Sequence, residues 1–79
     1  MTQRQLSKLS GWRLQVFKVV EDLNKEFFDL EDLYAYESDL KIVYPNNNHI
    51  LDKIRQQLQE LRDLGLIEFL GEGNYKRLF

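Results

Sequence analysis

The stretch PNNNHILDKIRQQLQELRDLG, residues 45–65, decides the fold, because both ends of a helix and its two faces can be read from it. Pro45 cannot sit inside a helix, and the asparagines after it have side chains that accept bonds from free first-turn amides; Asn48 is the expected N-cap. Leu51, Ile54, Leu58 and Leu61, with Ile50 beside them, recur at spacings of three and four, which gives one apolar side to bury. Gly65 is suited to the left-handed position after the last turn, with Leu66 closing on Leu61 in a Schellman arrangement. The outer face carries His49, Asp52, Lys53, Gln56, Gln59, Glu60 and Asp63, with Arg55, Gln57 and Arg62 on the flanks. Solvated helices are usually filled with Glu and Lys, so the run of amides is the unusual feature. Asn and Gln can bond base edges in pairs, adenine N6 and N7 above all, which suggests a helix that reads DNA.

The segments on either side supply the context for that helix. Ser10 can cap a helix in which Trp12, Val16, Val19, Val20, Leu23 and Phe27 share a face, ended by Asn24 and Lys25. Trp12 is read as core. Phe28 and Leu30 alternate with Asp29 as a short strand does, and a second helix starts at Asp29 or Leu30. Through Tyr44 the spacing fits one helix, or two if Ser38 recaps the chain. Tyr34, Tyr36 and Tyr44 are read as packing residues with outward hydroxyls rather than as a base-stacking platform. After Gly65, LIEFLGEGNYKRLF holds two alternating runs around GEG, a hairpin whose Gly71 and Gly73 allow positive φ at the tip. Its GxG is no phosphate loop, because no helix follows it.

Helix, short strand, helix, amide-rich helix and hairpin is the order of a winged helix-turn-helix. The expected class is α+β, mainly α: three helices and a C-terminal two-stranded wing, with a short third strand near Phe28–Leu30. Residues 1–9 lack periodicity and are expected to be a flexible lead-in or linker remnant, which leaves 10–79 as the domain. In helix-turn-helix docking the base edges are read near the N-terminus of the third helix. That geometry singles out His49, Lys53 and Gln56 as base readers. Asn46, Asn47 and Asn48, with Lys76 and Arg77 of the wing, are placed on phosphates or groove edges.

Charge and composition narrow the function classes. The net charge is −2 and the pI about 5.3, so bulk charge does not hold nucleic acid here. The charge is segregated: Arg4, Lys8, Arg13 and Lys18 precede any acid, whereas Glu21–Asp39 holds eight acids against Lys25 alone. The acid block is expected to face away from DNA. No apolar run approaches the roughly 20 residues of a membrane span, and the polar N-terminus lacks a signal peptide's apolar region, so no membrane partner is expected and the cytoplasm is the expected location. There are no cysteines, and the single histidine has no nucleophile at an informative spacing, so no catalytic role and no cofactor is assigned. Asp29, Glu31 and Asp32 are read as first-turn acids favoured by the helix dipole rather than as magnesium ligands.

GW at 11–12, LEDLYAYESDLK at 30–41, NNHI at 47–50, KIRQQLQELRD at 53–63 and IEFLGEGNYK at 67–76 resemble the C-terminal winged-helix domain of the DpnI-type, methyl-directed restriction endonucleases. The resemblance implies a reader of double-stranded DNA carrying N6-methyladenine, in a GATC-like site. In that family an N-terminal metal-dependent nuclease domain precedes this one in a longer protein. The implied site is Asn46–His49, Lys53, Gln56 and Gln57 of the helix with Gly73, Tyr75, Lys76 and Arg77 of the wing. The family's wing tip is typically basic, whereas this one carries Glu72 and Asn74, which moves the expected wing contact toward Tyr75, Lys76 and Arg77. Leu51 is a further candidate for methyl contact, although its spacing with Ile54 and Leu58 fits a core role better. Two other classes remain open: a winged-helix protein-interaction module, favoured by the low pI, and a transcriptional regulator of unmodified DNA.

Overall fold

The computed structural model describes all 79 residues. In chain order it contains α1 (Gln3–Ser7), α2 (Gly11–Leu23), β1 (Phe27–Asp29), α3 (Leu30–Tyr34), α4 (Glu37–Val43), α5 (Ile50–Asp63), β2 (Ile67–Gly71) and β3 (Asn74–Arg77). The strands form one antiparallel sheet in the order β1-β3-β2, so β3 is central and β1 supplies the third strand. This is the α+β, mainly helical winged helix-turn-helix that the element order implies. No helix is long and apolar enough to cross a membrane.

The core forms where the inner seams of α2 and α5 meet. Val16 and Val20 of α2 and Ile54, Leu58 and Leu61 of α5 are fully buried. Leu33 of α3, Leu40 of α4 and Phe28 of β1 close over them. On the sheet, Tyr75 pairs in register with Phe28 on one side and Phe69 on the other. Its ring stacks on Phe28 with centroids 5.4 Å apart and meets Phe69 edge-on at 4.9 Å, geometries that aromatic quadrupoles favour. α5 is thereby held chiefly by its apolar face, with Glu60 paired to Arg13 of α2, which leaves the outward face free.

The C-terminus of α5 closes as its sequence indicates. Gly65 has φ +79°, Leu66 N–H donates to Leu61 O at 3.0 Å and Gly65 N–H to Arg62 O at 2.8 Å. Those are the two bonds of a Schellman motif. A side chain at Gly65 would be held in a left-handed conformation that costs roughly 1–2 kcal/mol. Gly65→Ala is therefore expected to lower stability by about that amount, read as a drop in thermal midpoint of several degrees; an unchanged midpoint would mean that this turn relaxes freely.

Three expectations are corrected. Residues 1–9, expected to be a flexible lead-in or linker remnant without periodicity, hold a short helix, Gln3–Ser7, at whose start Thr2 and Gln5 form a reciprocal capping box. Gln5 Nε2 also donates to Leu64 O at 2.9 Å, satisfying a carbonyl at the end of α5. The short strand lies one residue earlier than Phe28–Leu30, because Asp29, paired with Asn74 as its last residue, also caps α3 and Leu30 is already helical. The segment 30–44, left open between one helix and two, forms two. The break falls at Ala35–Tyr36 rather than at Ser38, and Tyr36 becomes the N-cap of α4 while its hydroxyl donates to Asp22 Oδ2 of α2 at 2.6 Å.

Candidate nucleic-acid interface

The residues before α5 fold into a tied loop. Trp12, at the start of α2, is half-buried and stacks on Tyr44 with ring centroids 4.1 Å apart. Asn47 N–H donates to Tyr44 O at 3.1 Å, and Asn47 Oδ1 accepts from His49 N–H at 2.7 Å. Lys41 Nζ reaches across from α4 to donate to Asn47 O at 2.8 Å and to Asn48 Oδ1 at 3.4 Å. Asn48 is therefore not the N-cap. That position is held by His49, which makes no side-chain capping bond. The carboxamide oxygens of Asn47 and Asn48 are both turned to internal donors, so the groups these two side chains offer outward are amide N–H donors.

This loop and the first two turns of α5 enclose an open concavity of about 400 Å³, lined by Asn46, Asn47, Asn48, His49, Asp52, Lys53 and Gln56. It gathers six of the seven helix residues singled out from sequence. Asn46, Asn48, His49 and Gln56 are exposed, and Asn47 and Lys53 are half-buried. Asp52 was not among those singled out, and it places a carboxylate among the donors.

Gln57 is the exception and is corrected, since it is only 5% exposed. It falls on the seam Ile50, Ile54, Gln57, Leu61, at spacings of four, three and four, so it faces inward despite its polarity. The outward strip is Asp52, Arg55, Gln56, Gln59, Arg62 and Asp63, all exposed. Arg55 and Gln59 were thus passed over by a search for amides near the N-terminus. The signal that finds them is angular: at about 100° per residue, 52, 56, 59 and 63 run down the outward centre, with 55 and 62 to one side.

The wing departs further from expectation. Glu72 and Gly73 form its two-residue tip with φ +51° and +75°, both in the left-handed region, as a type I′ turn requires. Gly73 O accepts from Leu30 N–H at 3.1 Å, and a Cβ at Gly73 would come within 3.3 Å of Leu30, so the tip rests against the start of α3. Tyr75 is corrected from DNA contact to core: it is 7% exposed, and burial raises its phenol above the ordinary value. Lys76 stands opposite Glu68 and Phe27 in the register, with Nζ 5.9 Å from the Phe27 ring centre. Arg77 lies over the Phe79 ring at 4.5 Å and donates from Nε to Phe79 O at 3.0 Å. Both line a hollow with Asn24, Lys25 and Glu26 at the hairpin base. Arg77 pairs with Ile67, two residues past Gly65, so this base lies at the C-terminal end of α5 and the asparagine concavity at the other.

The acids at the start of α3 are engaged in capping. Asp29 Oδ1 accepts from Asp32 N–H at 2.9 Å, and Asp32 Oδ2 accepts from Asp29 N–H at 3.0 Å. That backbone bond holds the Asp32 carboxyl below its ordinary value, against a smaller opposing effect of burial and with help from Lys25 at 3.1 Å.

The geometry is that of a helix-turn-helix with α5 open to solvent along one face and a hairpin folded beside it. The sequence profile of the Dam-replacing HTH domain matches residues 8–77. The chain therefore belongs to the Dam-replacing HTH domain family, a family of DNA-binding helix-turn-helix domains.

Proposed function

We propose that this domain reads N6-methyladenine in double-stranded DNA, in a GATC-like site, as the specificity module of a modification-dependent restriction endonuclease whose nuclease domain lies elsewhere in a longer protein. The observation that carries the proposal is the gathering of Asn46, Asn47, Asn48, His49, Lys53 and Gln56 around one concavity at the N-terminus of α5, the end from which helix-turn-helix proteins read bases. Gln56 can donate to adenine N7, and its amide oxygen is left for a neighbouring base donor, because the one N6–H that methylation leaves is used in pairing with thymine. The amide donors of Asn47 and Asn48 suit phosphate oxygens or acceptor edges. The methyl group needs apolar contact, for which Leu51, half-buried on the flank of the first turn, is the side chain at hand. Chemistry on the DNA belongs to the nuclease domain in this account, and the present chain binds and orients.

The test is a titration of methylated and unmethylated GATC duplexes, followed by fluorescence anisotropy between about 50 and 200 mM salt. Tighter binding of the methylated duplex at every salt concentration is expected. Equal, salt-dependent affinity for both duplexes would support a regulator of unmodified DNA instead. Absence of salt-dependent binding would support a protein-interaction module.

A further inference from the structure

A second cleft lies beside the first, between the middle of α5 and the hairpin. Arg55 and Gln59 form one wall, Glu72, Gly73 and Asn74 the other, and Phe69 and Tyr75 contribute to its apolar lining, enclosing about 280 Å³. We propose that this cleft seats a backbone phosphate of the duplex, with Arg55 as its principal cation and Gln59 as a neutral donor one turn further on. The proposal rests on the reading of base edges by α5 proposed above, which places that helix in the major groove. With α5 in that groove and the hairpin on the flanking backbone or minor groove, one sugar–phosphate strand must cross the space between them.

Arg55 is the one cation that lines this cleft. Arg62 is paired with Asp63 and lies 4.4 Å from the Phe69 ring centre. Arg77 is held by Phe79, Lys25 by Asp32 and Arg13 by Glu60. Arg55 is exposed and makes neither an ion pair nor a hydrogen bond, although it stands at the cleft. A free guanidinium offers several donors to phosphate without first breaking an internal bond. The half-buried Phe69 ring gives deoxyribose an apolar surface to lie on. Glu72 shares the cleft and opposes a phosphate there, so a compensating cation from the helix is required. Lys76 and Arg77, at the hairpin base, do not reach into this cleft.

The experiment compares wild type, Arg55→Gln and Arg55→Lys on methylated and unmethylated GATC duplexes over a salt series, with thermal melts to establish that each variant is folded. Arg55→Gln is expected to weaken both duplexes about tenfold at low salt and to reduce the slope of log K against log salt by about 0.9, the value for one neutralised phosphate. Arg55→Lys, which keeps the charge, is expected to keep the slope. An unchanged slope in Arg55→Gln would overturn the proposal, and so would a loss confined to the methylated duplex, which would make Arg55 a base reader. Wild-type protein that binds both duplexes equally would remove methyl reading yet leave the slope comparison intact, so the two failures are distinct.

Discussion

Leu58→Ala is expected to cost about 2–5 kcal/mol of folding stability, the range for emptying a buried leucine site. Leu58 is 0% exposed, and Val16, Val20, Ile54 and Leu61 around the same core are equally closed, so no edge of the site can collapse onto solvent. A domain of this size has roughly 5–15 kcal/mol in total. The substitution therefore removes a large part of it, and the thermal midpoint should fall by about 8 °C or more at about 4–8 °C per kcal/mol. Gln59→Ala, one residue on and exposed, is expected to stay within about 0.5 kcal/mol of wild type. Similar midpoints for the two variants would contradict the placement of α5. Any loss of DNA binding in Leu58→Ala should track the unfolded fraction and vanish at temperatures where the variant is folded.

Gln56→Ala is the largest expected effect on recognition. Removing a paired base contact should lower discrimination between cognate and altered sites by about 1–3 kcal/mol, while folding stability stays within about 0.5 kcal/mol. Gln57→Leu provides the contrast. Gln57 is 5% exposed and sits in the apolar seam, so the leucine variant should fold and keep the wild-type sequence preference. Competition titrations against duplexes altered one base pair at a time measure both. A preserved preference in Gln56→Ala, or a lost one in a folded Gln57→Leu, would show that the helix presents a different face.

The contrast between those adjacent glutamines also marks how far the sequence could be read. Features set by local chemistry were legible: Gly65 closes α5, the GEG segment makes the wing, and Asn24 ends α2 in a left-handed conformation with φ +52°. Side-chain chemistry alone did not say which way a residue points. Gln57 and Tyr75 belong to the helix and wing segments that the family resemblance assigns to DNA, yet seam position in one case and cross-strand pairing in the other turn them inward. Helical periodicity places Arg55 on the outward side of α5, but the hairpin lying beside it is a long-range placement that no local pattern encodes. The same holds for Lys41, whose bond to the loop joins α4 to the start of α5, and for Gln5, which reaches Leu64 across most of the chain.

The most direct test of the central claim, that the concavity before and within the first turns of α5 reads methylated adenine, is a pair of backbone amide NMR titrations with one GATC duplex in methylated and unmethylated form. The largest differences between the two end points are expected at Asn46–Lys53 and Gln56, whereas the shifts at Arg55, Gln59 and the hairpin tip are expected to be common to both duplexes. End points that coincide throughout Asn46–Gln56, or differ instead along the acidic stretch Glu21–Asp39, would contradict it.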